Sequence, residues 1–258
     1  MIDWYGYSLL TIFLIGLAVI LAASELGWQL GMRGSGRGGS NASTLESAML
    51  GLLALIIGFS FSMALSRFEA RRDAVVNEAN AIGTAALRAR LLPDPHRTET
   101  LKLLREYIQI RLDVVQSGQS LAELKTAVDH SDRVQETLWL QVKALTAKDN
   151  GMVPTGLFIQ ALNEMIDDQA KRLAALRNRI PNIVLLGLFG IAATAAGFAG
   201  YASGLDTKRT RLPLCIMGLL VAMVIILIFD LDRPSSGLII NDQQSMIDTA
   251  ARMTALSD

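Results

Sequence analysis

The sequence predicts an all-α membrane protein: four transmembrane helices in two hairpins flanking an antiparallel helical cytosolic bundle. Three observations lead there. Hydrophobic residues make up 51% of the 258-residue chain, yet it also carries 24 basic and 24 acidic side chains, so apolar and charged residues are segregated along it. Four uncharged stretches reach the length of about 20 residues that a helix needs to cross about 30 Å of hydrocarbon. Between the second and third, apolar residues recur at the three-four spacing of amphipathic helices.

The first hairpin occupies 1–66 and contains the spans Trp4 to Ser24 and Ser47 to Ser66. Trp4, Tyr5, Tyr7 and Trp28 bracket the first span, where amphipathic rings prefer the headgroup layers. Asp3 precedes it without a Lys or Arg, and the uncharged run is longer than a signal core, so this span reads as a retained anchor. Glu25 follows at an interface, within snorkelling reach of water. The Gly- and Ser-rich linker Met32 to Thr44 joins the two spans.

The central domain, 67–179, reads as four helices. The first continues from Arg67 to Leu92 with the seam Phe68, Val75, Ala79, Ile82 and Ala86, and Pro93-Asp94-Pro95 stops it. It is either a rigid stalk or an element that transmits motion. The second carries Leu101, Leu104, Ile108, Leu112 and Val115 and ends at Ser117 and Gly118. The third carries Leu121, Leu124, Val128, Leu138, Val142 and Leu145, with a polar stretch between Val128 and Val134 where a kink is expected, and turns at Lys148 to Gly151. The fourth starts near Pro154 and carries Leu157, Ala161, Met165, Leu173 and Leu176 straight into the third span. Seams of this kind pack as an antiparallel bundle, with the abundant Asp and Glu on its solvated surface.

The second hairpin, 180–231, holds the spans Ile180 to Leu205 and Leu212 to Phe229, joined by Asp206 to Arg211, and a C-terminal segment, 232–258, follows. Four crossings put both termini and the central domain on one side. Arg67, Arg71, Arg72, Lys171, Arg172, Arg177, Arg179 and Arg233 flank the spans there, against Arg33, Arg37, Lys208, Arg209 and Arg211 opposite, which makes that side cytoplasmic by the positive-inside rule.

A formal net charge of zero and a pI near 6.8 argue against nucleic acid as a partner. Cys215 lies in an apolar run and reads as a small packing residue, while His96 and His130 lack metal-ligand or triad companions and read as surface residues. No Walker-type loop, nucleophile elbow or metal-ligand spacing occurs, so the chain reads as a non-enzyme without cofactor or metal.

The second span carries the most information. Gly51, Leu55, Gly58, Phe59, Ser62 and Ser66 share one stripe, apolar at mid-membrane and hydroxylated toward the central domain, followed by Arg67, Arg71 and Arg72. Two readings fit: a hydrophobic constriction with a basic, anion-concentrating mouth, or a small-residue face for close helix packing. In the third span Ala196, Gly200 and Gly204 recur every four residues and mark a packing seam. Asp230 and Asp232 end the fourth span against the negative pole of its dipole and require a cation, for which Arg67, Arg71 and Arg72 are salt-bridge candidates and calcium the alternative.

The stretch Gly58-Phe59-Ser60-Phe61-Ser62-Met63-Ala64-Leu65-Ser66-Arg67-Phe68 resembles the second span of bestrophins and its exit. Asn77-Glu78-Ala79-Asn80-Ala81-Ile82-Gly83-Thr84 and Asp230 to Leu238 resemble more closely a bacterial bestrophin-like family, and this resemblance covers the chain from the second span to the C-terminus. It implies a homo-oligomeric anion channel in a bacterial inner membrane, pentameric on the bestrophin plan, passing anions such as chloride through a pore lined by the second span. Phe59 would stand in the hydrophobic neck, with Leu55 and Met63 one turn to either side. The acidic calcium clasp of animal bestrophins is not matched, so calcium gating is not implied. The alternative is a membrane-anchored helical sensor or assembly platform without ion permeation. A proton-driven motor component would need an acidic residue at mid-membrane, and none occurs.

Overall fold

The computed structural model describes residues 6–34, 39–116, 121–148, 153–205, 211–234 and 237–255. Eight helices account for almost all of them, with no strand among the described residues: α1 (Leu9–Arg33), α2 (Gly39–Ala89), α3 (His96–Gln116), α4 (Leu121–Lys148), α5 (Val153–Arg177), α6 (Asn182–Leu205), α7 (Leu212–Asp232) and α8 (Gln244–Ala255). Four helical stretches are long and apolar enough to cross a membrane, and they contain all of α1, most of α2, all of α6 and all of α7. Trp4, Tyr5, Arg37, the stop at Ser117 and Gly118, the turn residues 149–151 and the connection residues 206–210 with Lys208 and Arg209 lie outside the described residues.

Two compact units emerge. The first comprises Met1–Arg67, Arg179–Arg233 and Gly237–Ile239; the second comprises Phe68–Asn178, Pro234–Ser236 and Ile240–Asp258. In the first, α1 packs along α6 and also meets α7. The helix starts later and runs further than its apolar stretch suggests: Ser8 caps its N-terminus by accepting the Thr11 N–H at 3.1 Å, and Trp28 is buried in its last turns. Glu25 accepts from Gln29 Nε2 at 3.1 Å and pairs with Arg211 at 3.2 Å.

The second unit surrounds an apolar core of Ile82, Ala85, Leu104, Ile108, Leu138, Phe158, Leu162 and Met165 from α2, α3, α4 and α5. A fifth helix completes it. In α8, Met246, Ala250 and Met253 lie at the four-three spacing of one helical face, and all are buried in that core. The polar stretch between Val128 and Val134, where a kink was expected, lies within one continuous helix. The expected run of α5 into the third span is also corrected. Residues 178–181 interrupt it, because Pro181 cannot donate to an upstream carbonyl, and the Ile180 N–H finds the Asp232 carboxylate instead at 2.8 Å.

Candidate functional site

The apolar half of α2 has two unlike faces. Leu53, Ser60 and Ala64 are buried, at 4%, 7% and 0% exposure. About 180° around the helix, at 100° per residue, lie Leu55, Gly58, Phe59, Ser62 and Ser66, and all five are exposed. Leu55 and Phe59 are 55% and 63% exposed, and Met63 beside them is 44% exposed. A Cβ added at Gly58, or at Gly51, would meet no atom within 4 Å. Among the described residues, therefore, no neighbouring helix packs against the two glycines of this face.

The seam on α6 is built in the opposite way. Cβ atoms at Gly200 and Gly204 would collide with the carbonyl oxygens of Ser24 and Trp28 on α1. Reciprocally, Cβ atoms at Gly27 and Gly31 would strike the carbonyls of Gly197 and Tyr201 on α6. Ala196 is buried in the same face. The two backbones approach as closely as small side chains permit, which in lipid supplies the dispersion contact that a hydrophobic effect cannot. The α1 half of this seam, Gly27-x-x-x-Gly31, was missed by sequence reasoning, though its four-residue spacing signals it.

At the end of α7 the carboxylates find different partners. Asp232, fully buried, faces Arg67 Nη1 at 3.7 Å and accepts the Ile180 N–H. Asp230 is answered by backbone rather than by a cation: it accepts the N–H groups of Leu238 at 2.9 Å and Ile239 at 3.0 Å. Arg233 donates from Nη2 to the Tyr7 carbonyl at 2.6 Å. The three arginines expected together at a mouth have separate environments. Arg67 is tied to Asp232, Arg71 is 2% exposed and therefore inside the fold, and Arg72 is exposed.

The second unit holds a buried charge cluster, which corrects the expectation that its acidic residues are all solvated. Glu78, at 0% exposure, receives Arg111 through Nε at 2.8 Å and Nη2 at 3.3 Å, and Arg172 Nη1 at 2.7 Å. The Tyr107 hydroxyl lies 3.0 Å from Glu78 Oε1 and 2.7 Å from Gln169 Oε1, two acceptors for its single proton, and Arg172 Nη2 reaches Gln243 at 3.1 Å. Burial alone would raise the Glu78 carboxyl, but the two guanidiniums outweigh it and hold the group below its ordinary value. Burial and then the charge of Glu78 push the Tyr107 phenol far above its own, so it remains a donor. The charges of the cluster are paired within it, two guanidiniums on one carboxylate, and it has the character of a structural hub. Its signal in the sequence was Glu78 itself, an acid interrupting the seam between Val75 and Ala79.

The remaining expectations divide. His96 is 9% exposed and its Nδ1 meets Gln141 Oε1 at 2.8 Å, so it is a buried hydrogen-bonding residue and not a surface one. His130 is exposed beside Glu106. Cys215 is exposed rather than packed within the chain. Among the described residues no three His, Cys, Asp or Glu side chains converge as a metal site.

The Bestrophin-like domain model matches residues 45–240, and the chain belongs to the bestrophin-like family. A crystal structure of a singly substituted bacterial bestrophin homolog from Klebsiella pneumoniae matches with a TM-score of 0.70 at 15% identity, covering 96% of this chain and 97% of that one. A second crystal structure of a bestrophin homolog from that organism gives 0.68 at 15% identity, over 95% and 97%. No curated protein matches the chain. The all-helical fold of this chain is thus the fold of these homologs.

Proposed function

We propose that the chain is the subunit of a homo-oligomeric anion channel whose conduction path is lined by the exposed stripe of α2. One observation carries the reading: Leu55, Gly58, Phe59, Ser62 and Ser66 form a continuous exposed face opposite the buried face of the same helix, with nothing among the described residues covering Gly58. A single copy supplies only one wall, so a closed path needs several copies around an axis; the bestrophin plan makes five. Leu55 and Phe59 would form the constriction, where an apolar ring restrains passage by dewetting. Ser62 and Ser66 offer hydroxyl donors to an anion such as chloride beyond it, and Arg72 adds positive potential. Arg71, being buried, takes no part, and Arg67 contributes only what its pairing with Asp232 leaves. The excess of basic residues beside the central domain supports a cytoplasmic side for that domain and both termini, with the spans in a bacterial inner membrane. The reading includes no chemical step on a substrate.

Planar bilayer recordings of purified protein test it. Leu55→Ala and Phe59→Ala each widen the constriction and raise anion conductance several-fold. Absent current, or current indifferent to both changes, contradicts the channel and favours a membrane-anchored sensor or assembly platform.

A further inference from the structure

After its last spanning helix the chain folds straight back. Asp230, in the final turn of α7 and 3% exposed, accepts the Leu238 N–H with both carboxylate oxygens, at 2.9 and 3.2 Å, and the Ile239 N–H at 3.0 Å. Gly237, at φ +157°, permits the approach, because a Cβ there would collide with the Asp230 carboxylate. Leu238 is therefore held level with the last turn of the span, although it comes eight residues later. Its side chain is 90% exposed, the highest value among the described large hydrophobic residues.

A second residue is fastened to the same end. The carbonyl of Tyr7 accepts from Arg233 Nη2 at 2.6 Å, and the Tyr7 side chain is 53% exposed. An exposed leucine and an exposed tyrosine thus flank the level where α7 ends in the charged residues Asp230, Asp232 and Arg233. Beside an ionic boundary of this kind a bilayer passes from hydrocarbon to headgroups. Tyrosine partitions to that layer, and leucine to the hydrocarbon beneath it.

We propose that Leu238 and Tyr7 form an interfacial anchor for the phospholipid leaflet at the C-terminal end of α7. Leu238 enters the edge of the hydrocarbon and Tyr7 occupies the headgroup layer. The bilayer is the partner because this surface continues from a spanning helix whose Met223 and Leu227 are themselves 52% and 40% exposed. The anchor sets the depth of the span's end and keeps the Arg67–Asp232 pair at the polar boundary. It holds whether or not the protein conducts ions.

The test uses the full chain with Cys215→Ser, reconstituted in phosphatidylethanolamine and phosphatidylglycerol vesicles. Spin labels are placed at Leu238→Cys, Tyr7→Cys and, as a water-exposed reference, Glu136→Cys. Collision with dissolved oxygen, which concentrates in hydrocarbon, is compared with collision with a water-soluble nickel chelate. The anchor requires an oxygen-to-nickel ratio at Leu238→Cys several-fold above the reference, with Tyr7→Cys between them. A reference-like ratio at either site overturns it. Suppression of both collisions at Leu238→Cys also overturns it, since another protein surface would then cover the site.

Discussion

Two helical faces in the membrane unit carry the same kind of residue and serve opposite ends. Along α1 and α6, Gly27, Gly31, Gly200 and Gly204 press backbone against backbone, while along α2, Gly51 and Gly58 meet nothing within 4 Å. Small residues in a spanning helix therefore do not by themselves announce packing; what fills the space of the missing Cβ decides. The chain closes one face with its own backbone. The other, flanked by Leu55 and Phe59, it leaves to something outside itself.

The sharpest way to break this comparison is to fill both spaces. Gly200→Leu forces a side chain into the carbonyl of Ser24, which cannot rotate away, and is expected to abolish recovery of folded, monodisperse protein from detergent. Gly58→Ala changes folding stability by no more than about 0.5 kcal/mol in thermal unfolding, while it alters conductance. Equal damage at the two sites would end the distinction.

Next in size is the hub of the second unit. Glu78→Ala strands two buried guanidiniums and costs about 3–5 kcal/mol. Asp94→Ala, which removes an exposed pair with Arg97, costs about 0–1 kcal/mol. Calorimetry of the two variants measures the contrast between a buried charge and a solvated one.

The smallest effect concerns acid. The folded Glu78 carboxyl lies below its unfolded value of 4.5, so its stabilisation is complete above that value and disappears as pH falls through the lower, folded one. The melting temperature of the native chain therefore retains this contribution down to about pH 5, and the extra acid slope below it is absent from Glu78→Gln. An identical slope in both proteins would show that the carboxyl is not held down.

The spans were legible because about 20 uncharged apolar residues have few alternatives to lipid. The bundle was legible from its three-four seams. The two faces of α2 were only half legible: periodicity grouped Leu55 with Phe59 and Ser62, but it cannot say whether a face is covered. The Glu78 hub showed only as one acid interrupting a seam, for a related reason. Its partners Arg111 and Arg172 lie 33 and 94 residues away, and each alone reads as a surface charge. The helix α8 is short, 12 residues, and its apolar contacts are Met246, Ala250 and Met253, two of them methionines and one small. The break before α6 was signalled by Pro181, but the uncharged run around it masked it.

The most direct test of the α2 stripe is chemical modification during a recording. In a Cys215→Ser background, Phe59→Cys is exposed from the aqueous side to a membrane-impermeant, charged thiol reagent in a planar bilayer. The proposed lining predicts an abrupt, irreversible change in anion current whose direction depends on the sign of the attached charge. A steady current after mass spectrometry has confirmed complete modification would contradict it.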